Sequence, residues 1–209
     1  MYETMQPGKR NLIIEKILRA EWEMLKNVDN IGGKADCQED WTTFHIMRYS
    51  YYNAWPDTMI RSYVRDLEEA MEQDRNLVME KYAYMMEFTD PAYFNSKLSP
   101  FLPKIDDNTK KLIDEIAEYL TGFDKEFTLQ YPKLSTKGRP VEAAKDGTET
   151  SAETYARGEL RTYSQYTLKL FLDYLKKCRA EGTNFAFLVK DKMVKMYGYD
   201  SIEAAEAKM

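Results

Sequence analysis

The chain has 209 residues, of which 44% are hydrophobic and 13% aromatic, enough to bury one substantial core. Its 30 basic and 35 acidic side chains leave a formal net charge of -5, so it lacks the excess of cations with which nucleic-acid-binding proteins neutralise phosphates. No apolar run reaches the roughly 18 residues that cross a bilayer, and the first ten residues lack the apolar core of a secretion signal. We therefore expect a cytoplasmic protein that binds neither nucleic acid nor membranes, while its oligomeric state and any cofactor stay open.

Apolar residues recur with a 3.6-residue period along nearly the whole chain, and the alternation typical of strands is not sustained anywhere. This pattern predicts an all-α protein, a single compact domain over residues 1–209 with about seven to eight helices. Pro56 suits the first turn of a helix, and Gly182 suits a helix end. The predicted helices cover 10–27, 37–54, 56–73, 76–88, 107–129, 151–180 and 184–197, followed by a short helix from Ser201.

Two similar capping signals stand 114 residues apart, Asp36-Cys37-Gln38-Glu39 and Thr150-Ser151-Ala152-Glu153. In each, a hydrogen-bond acceptor is followed three residues later by a glutamate, which is the pattern of a capping box. Each signal predicts the start of a long, aromatic-rich helix, and superposing them lays Cys37 on Ser151. We therefore predict an internal duplication, with half-repeats at about 10–90 and 107–198.

Several ionisable side chains fall on apolar or aromatic helix faces. Glu21 lies in the middle of the apolar stripe of the first helix, and Arg48 lies on the aromatic stripe of the second, with His45 at its edge. Glu159 shares a face with tyrosines in the second half. Because a buried charge must be paired or face a cavity, two interpretations stay open: an ion pair between Glu21 and Arg48, or a ligand pocket. A lone histidine such as His45 is more often a hydrogen-bonded core residue than a catalytic base.

The two cysteines, Cys37 and Cys178, have no CxxC spacing and cannot by themselves form a structural zinc site. Cys37 is predicted in the first turn of a helix, where free N–H groups and the helix dipole favour a thiolate. It is therefore a candidate nucleophile, with an inert thiol as the alternative. The single histidine and the lack of Glu-x-x-His spacing argue against a di-iron site, and we predict no metal site.

Long motifs in both halves resemble one protein family. They are Glu21-Trp22-Glu23-Met24, Asn30-Ile31-Gly32-Gly33-Lys34-Ala35-Asp36-Cys37-Gln38-Glu39-Asp40-Trp41, Gly138-Arg139-Pro140 and the stretch from Thr150 to Ser164, TSAETYARGELRTYS. On these residues the chain resembles a bacterial family catalogued as domain-of-unknown-function family 4125, over about residues 11–204. The resemblance implies no activity, substrate or catalytic residue.

The leading functional hypothesis is a pocket between two helical halves that binds, and in the case of an enzyme transforms, a small polar or anionic metabolite. The candidate catalytic residues are Cys37, as nucleophile or acid, and Glu21 or Glu159, as base. The candidate ligand-binding residues are Arg48, Trp22, Trp41, Tyr155, Tyr163, Arg139 and Arg157.

Arg48 would clamp an anionic group, because a guanidinium matches carboxylate geometry. Arg139 and Arg157 would close the entrance together with the polar loop 132–149. The alternatives are a non-catalytic interaction or scaffold protein, and a metal or cofactor carrier in a redox system.

Overall fold

A computed structural model describes residues 5–29, 33–143 and 150–209. Residues 30–32 of the motif before the second helix, and residues 144–149 of the loop predicted to close the entrance, lie outside the described residues. In the described ranges all regular secondary structure is helical, which confirms the all-α prediction. None of the described helices is long and apolar enough to cross a membrane.

The described residues form eleven α-helices. A 3-10 turn, Asp36–Gln38, precedes α2, and a π-helical turn, Phe94–Leu98, and a second 3-10 turn, Ser99–Phe101, follow α5. The helices are α1 Pro7–Lys26, α2 Trp41–Asn53, α3 Asp57–Glu72, α4 Leu77–Thr89, α5 Pro91–Tyr93, α6 Asp107–Gln130, α7 Pro132–Ser135, α8 Ala152–Leu160, α9 Gln165–Ala180, α10 Phe185–Met196 and α11 Ile202–Lys208.

The prediction of seven to eight helices is too low for two physical reasons. Prolines at the first positions of α5 and α7 start short helices that the period alone does not separate. The predicted helix over 151–180 is wrong because the chain breaks between α8 and α9. At this break the Ser164 side chain accepts the N–H of Thr167 at 3.2 Å, and Asp66 accepts the N–H of Ser164 at 3.1 Å.

The first capping-box prediction is wrong in its register. α2 begins at Trp41, and its cap is Asp40, which accepts the N–H of Thr43 at 2.9 Å. Asp36 and Cys37 lie in the preceding 3-10 turn. Buried Gln38 fixes this turn by donating to the carbonyl oxygens of Leu25 and Val28 at 2.8 and 2.9 Å.

The second capping prediction is displaced by one residue. Ser151, not Thr150, caps α8 by accepting the N–H of Thr154 at 3.1 Å. Cys37 and Ser151, which the predicted repeat superposes, therefore occupy different local structures. The duplication stays a prediction.

Close packing of α4 on α8 positions the site described below. A Cβ atom added at Gly158 of α8 would lie 2.7 Å from the carbonyl oxygen of Lys81 in α4, so only glycine permits this approach. α1 contacts α2, α3 and α4, while α6 contacts α8, α9 and α10, and α10 also contacts α2. Polar side chains from α1, α2, α4 and α8 consequently converge.

Candidate functional site

Four charged side chains meet between α1, α2, α4 and α8, and we call them the charge quartet: Glu21, Arg48, Lys81 and Glu159. Their side chains are 3%, 15%, 7% and 9% exposed, respectively. Two carboxylates and two cations give the quartet no net charge. Ionised side chains are tolerated in a protein interior when they are paired with opposite charges, and each member of the quartet is paired in this way.

Arg48 joins the two carboxylates. Its Nε and Nη2 donate to the two oxygens of Glu21 at 2.8 and 2.6 Å, and its Nη1 donates to both oxygens of Glu159 at 2.8 and 3.0 Å. Nη2 also donates to the hydroxyl of Tyr52, so all five N–H groups of the guanidinium have partners. Burial alone would lower the pKa of Arg48, but Glu159 and Glu21 outweigh it and raise this pKa well above the ordinary value. Of the two open interpretations, the ion pair between Glu21 and Arg48 is therefore present.

Glu159 is held ionised by two cations. Lys81 Nζ donates to its Oε2 at 2.8 Å, and the hydroxyl of Tyr163 donates to its Oε1 at 2.7 Å. Burial alone would raise the pKa of Glu159, but Arg48 and Lys81 outweigh this effect and hold the pKa well below its usual range. Glu159 is therefore an anion at any physiological pH.

Glu21 accepts two phenol hydroxyls in addition to Arg48. Tyr63 donates to its Oε1 at 2.6 Å, and Tyr52 donates to the same oxygen. Burial, reinforced by the charge of Glu21, raises the pKa of Tyr63 well above its ordinary value. The tyrosines therefore stay protonated and serve as fixed hydrogen-bond donors.

A cavity of about 1180 Å³ lies beside the quartet, and all four quartet residues line it. The other walls come from α2, α6, α8, α10 and the segment after α7. Aromatic and apolar side chains share these walls with polar ones, and among them are Phe44, Met47, Tyr51, Leu120, Phe123, Phe127, Tyr155, Phe185, Val189 and Met193.

The structure brings six of the ten predicted site residues to this cavity: Cys37, Glu21, Glu159, Arg48, Tyr155 and Arg139. Trp22 and Trp41 contact each other and line a separate depression with Arg19 and Glu23. Tyr163 is buried against Glu159. Arg157 forms ion pairs with Asp114 and Glu153. These four do not belong to the described cavity lining, and their ligand contacts stay predictions.

Two cations lie over the ring of Tyr155 at the cavity wall. Lys81 Nζ lies 3.7 Å from the centre of its ring, and the Arg139 guanidinium lies 4.9 Å from it. Its hydroxyl is 3.4 Å from that of Tyr82, and burial raises the pKa of both phenols. Cys37 is exposed at the same cavity. His45 does not belong to this lining, and its Nε2 pairs with Glu15 at 2.8 Å.

Lys81, Asp124 and Lys190 line the cavity but were missed by sequence reasoning. Lys81 was missed because the pattern of residues 79–86 is typical of the core face of a helix. Asp124 follows Phe123 on the inward face of α6 and could have been found by the stripe pattern that identified Glu21. Burial raises the pKa of Asp124, although Lys190 opposes the shift.

No group of three His, Cys, Asp or Glu side chains in residues 5–29, 33–143 and 150–209 is arranged to hold a metal ion. A family profile described as "Protein of unknown function (DUF4125)" matches residues 11–207, nearly the full chain. No curated protein and no solved structure matches the chain.

Proposed function

The chain belongs to the DUF4125 family, whose description assigns no function, and we propose from the site geometry that it binds a small polar or anionic metabolite. The cavity beside the charge quartet is the binding site. Its volume, about 1180 Å³, lies somewhat above the range of about 300–1,000 Å³ that ligand pockets commonly enclose, so a small metabolite fits with room to spare. The mixture of aromatic walls with a few charged groups also suits a small polar ligand.

The observation that carries the proposal is a cation at the cavity without a carboxylate partner. Arg139 is exposed, donates one hydrogen bond from Nη1 to the carbonyl oxygen of Thr150 at 3.1 Å, and has no ion pair in the described ranges. Its guanidinium carbon lies 4.9 Å from the centre of the Tyr155 ring, a cation–π contact that holds the group at the cavity wall. A planar guanidinium with free N–H groups matches a carboxylate or phosphate of a ligand.

The quartet supports this proposal as a rigid wall of the pocket. Because the protein already uses every N–H of Arg48, an anion that bound Arg48 through hydrogen bonds would have to displace a carboxylate. We therefore assign the first contact with an anionic group to Arg139, while a direct clamp by Arg48 stays a prediction.

Chemistry in the pocket stays a prediction as well. Cys37 exposes its thiol at the cavity and is the candidate nucleophile. Glu21 and Glu159 are the candidate bases, but each would first have to release a hydrogen-bond donor, Arg48 or Lys81 respectively. The enzyme hypothesis consequently requires rearrangement of the quartet, whereas binding does not.

The quartet also supports one alternative, a non-catalytic interaction or scaffold protein in which the ion pairs only set helix register. The two functions differ in their need for the cavity, since binding requires a ligand inside it and a scaffold does not.

The test is capture of ligand by protein purified directly from cells, measured by native mass spectrometry and followed by thermal-shift titration of the captured compound. We expect Arg139→Gln to lower affinity about tenfold or more, as loss of a charge-assisted hydrogen-bond pair does. Arg65→Gln is the matched control, because Arg65 is an exposed residue of α3. Absence of captured ligand, or equal binding by the two variants, would contradict the proposal.

A further inference from the structure

Two opposite charges face the cavity from neighbouring helices without pairing. Asp124 lies on α6 and Lys190 on α10, the two helices are in contact, and both side chains line the cavity. In the described ranges neither side chain has a hydrogen bond or ion pair with another residue, although they attract each other through space. Asp124 is half-buried.

The other carboxylates of the lining are satisfied by the protein. Glu21 and Glu159 belong to the quartet, Asp40 caps α2, and Glu153 accepts from Arg157 and from the N–H of Ala143. Asp124 is therefore the cavity carboxylate that lacks a partner in the part of the chain that the structure describes. A half-buried carboxylate at a cavity wall is open to a donor from outside the chain, and burial already disfavours its ionised form.

The surroundings of this charge pair are apolar. On α6, Leu120, Phe123 and Phe127 line the cavity around Asp124, and on α10, Val189 and Met193 flank Lys190. Burial, the larger influence, raises the pKa of Asp124. A ligand that met both charges would consequently pack its remaining atoms against aromatic and aliphatic side chains.

We infer that the ligand is a zwitterion with an apolar or aromatic body, whose ammonium group donates to Asp124 and whose carboxylate accepts from Lys190 and from Arg139, the cation of the proposed function. An α-amino acid with a large apolar side chain has this chemistry. The inference rests on the proposed function, since it names the class of metabolite that the same cavity binds. The zwitterion adds no net charge, and it supplies a partner to each unpaired group.

The inference is tested with matched probes in isothermal titration calorimetry on the full chain. L-Phenylalanine and L-tryptophan carry both charges, 3-phenylpropionate and 3-indolepropionate lack the ammonium, and 2-phenylethylamine and tryptamine lack the carboxylate. At least one amino acid should bind about tenfold or more tightly than either of its truncated analogues, which corresponds to one lost charge-assisted contact.

Variants assign each charge to its residue. Asp124→Asn should weaken amino-acid binding about tenfold and leave the acid that lacks an ammonium unchanged, whereas Lys190→Gln should leave the amine that lacks a carboxylate unchanged. Asp173→Asn and Lys169→Gln are the controls, because both residues are exposed on α9. Equal affinities for an amino acid and its analogues, no millimolar binding of either amino acid, or unchanged binding by Asp124→Asn would overturn the inference.

Stability separates a ligand contact from a structural role of Asp124. The pKa of Asp124 is higher in the folded chain than in the unfolded one. At pH values above the folded pKa, the ionised carboxylate of Asp124 therefore lowers the stability of the folded chain. Asp124→Asn should therefore raise the thermal midpoint of the free protein at neutral pH, and this gain should vanish as pH falls below about 4. A fall in the midpoint at neutral pH would assign Asp124 to the structure instead.

Failure of this inference is distinguishable from failure of the proposed function. A captured metabolite without an amino group, bound in the cavity and sensitive to Arg139→Gln, would overturn the zwitterion while preserving the proposed function. Absence of any captured or titrated ligand would overturn both.

Discussion

Replacing Glu159 with glutamine should destabilise the protein strongly. The substitution keeps the size of the side chain but removes the charge that partners Arg48 and Lys81, so the quartet changes from neutral to a net charge of +1. Glu159 lies 2.8 Å from a nitrogen of each cation. Loss of one member of a buried ionic network leaves an uncompensated charge in the interior, which is the most costly way to disrupt it.

The expected magnitude follows from these distances. At an effective dielectric constant of about 20, two unit charges 2.8 Å apart attract by about 6 kcal/mol, and Glu159 has two such neighbours. Rehydration of the freed groups and the hydrogen bonds that glutamine keeps offset much of this sum. Measured losses for broken buried pairs are about 3–5 kcal/mol, which is roughly 6–20 °C in the thermal midpoint of a chain of this size.

Equilibrium unfolding in urea, followed by circular dichroism at 222 nm, measures this loss. Glu118→Gln, at an exposed position of the same protein, controls for the substitution itself. The decisive comparison adds Lys81→Met to Glu159→Gln, because the double variant has a neutral cluster again. It should be less destabilised than the sum of the two single variants by about 1–3 kcal/mol. A loss below about 1 kcal/mol for Glu159→Gln, or strict additivity in the double variant, would refute the quartet as described.

Three further outcomes follow from the geometry. Gly158→Ala should destabilise the protein by about 1–3 kcal/mol in urea unfolding, because the added Cβ would lie 2.7 Å from a backbone oxygen. Gly122→Ala is the control and should be neutral or stabilising, because its Cβ would meet only a side-chain nitrogen at 3.4 Å. Equal effects of the two substitutions would contradict the close contact between α4 and α8. Asp40→Ala should cost about 1 kcal/mol and Asp36→Ala much less, since Asp40 caps α2; the reverse order would restore the predicted capping box. Cys37 should react with iodoacetamide in the native protein, whereas the buried Cys178 should react only after denaturation. Peptide mass spectrometry measures both rates, and equal rates in the native protein would contradict the difference in exposure.

Much of the fold follows from the sequence because its helices have strong apolar periodicity. The positions where the prediction erred depend on contacts between distant residues. Asp36, Glu39 and Asp40 all offer acceptor side chains, and the choice of Asp40 as the cap depends on buried Gln38, which ties the preceding turn to the end of α1. Local pattern carries no information about that tertiary contact.

The site was predictable in part for the same reason. Glu21, Arg48 and Glu159 could be identified because a charge on an apolar stripe needs a partner. Lys81 could not be assigned to Glu159, since the two residues are 78 positions apart and meet only where Gly158 lets α4 and α8 approach closely. Asp124 lies on an equally inward face, but its lack of a partner is visible only in three dimensions.

The most direct measurement of the central claim is a high-resolution crystal structure of protein purified straight from cells, without added ligand. We expect a bound small molecule in the cavity, with its cationic group at Asp124 and its anionic group at Lys190 and Arg139. A cavity that holds only water, with Lys190 turned to pair directly with Asp124, would contradict it.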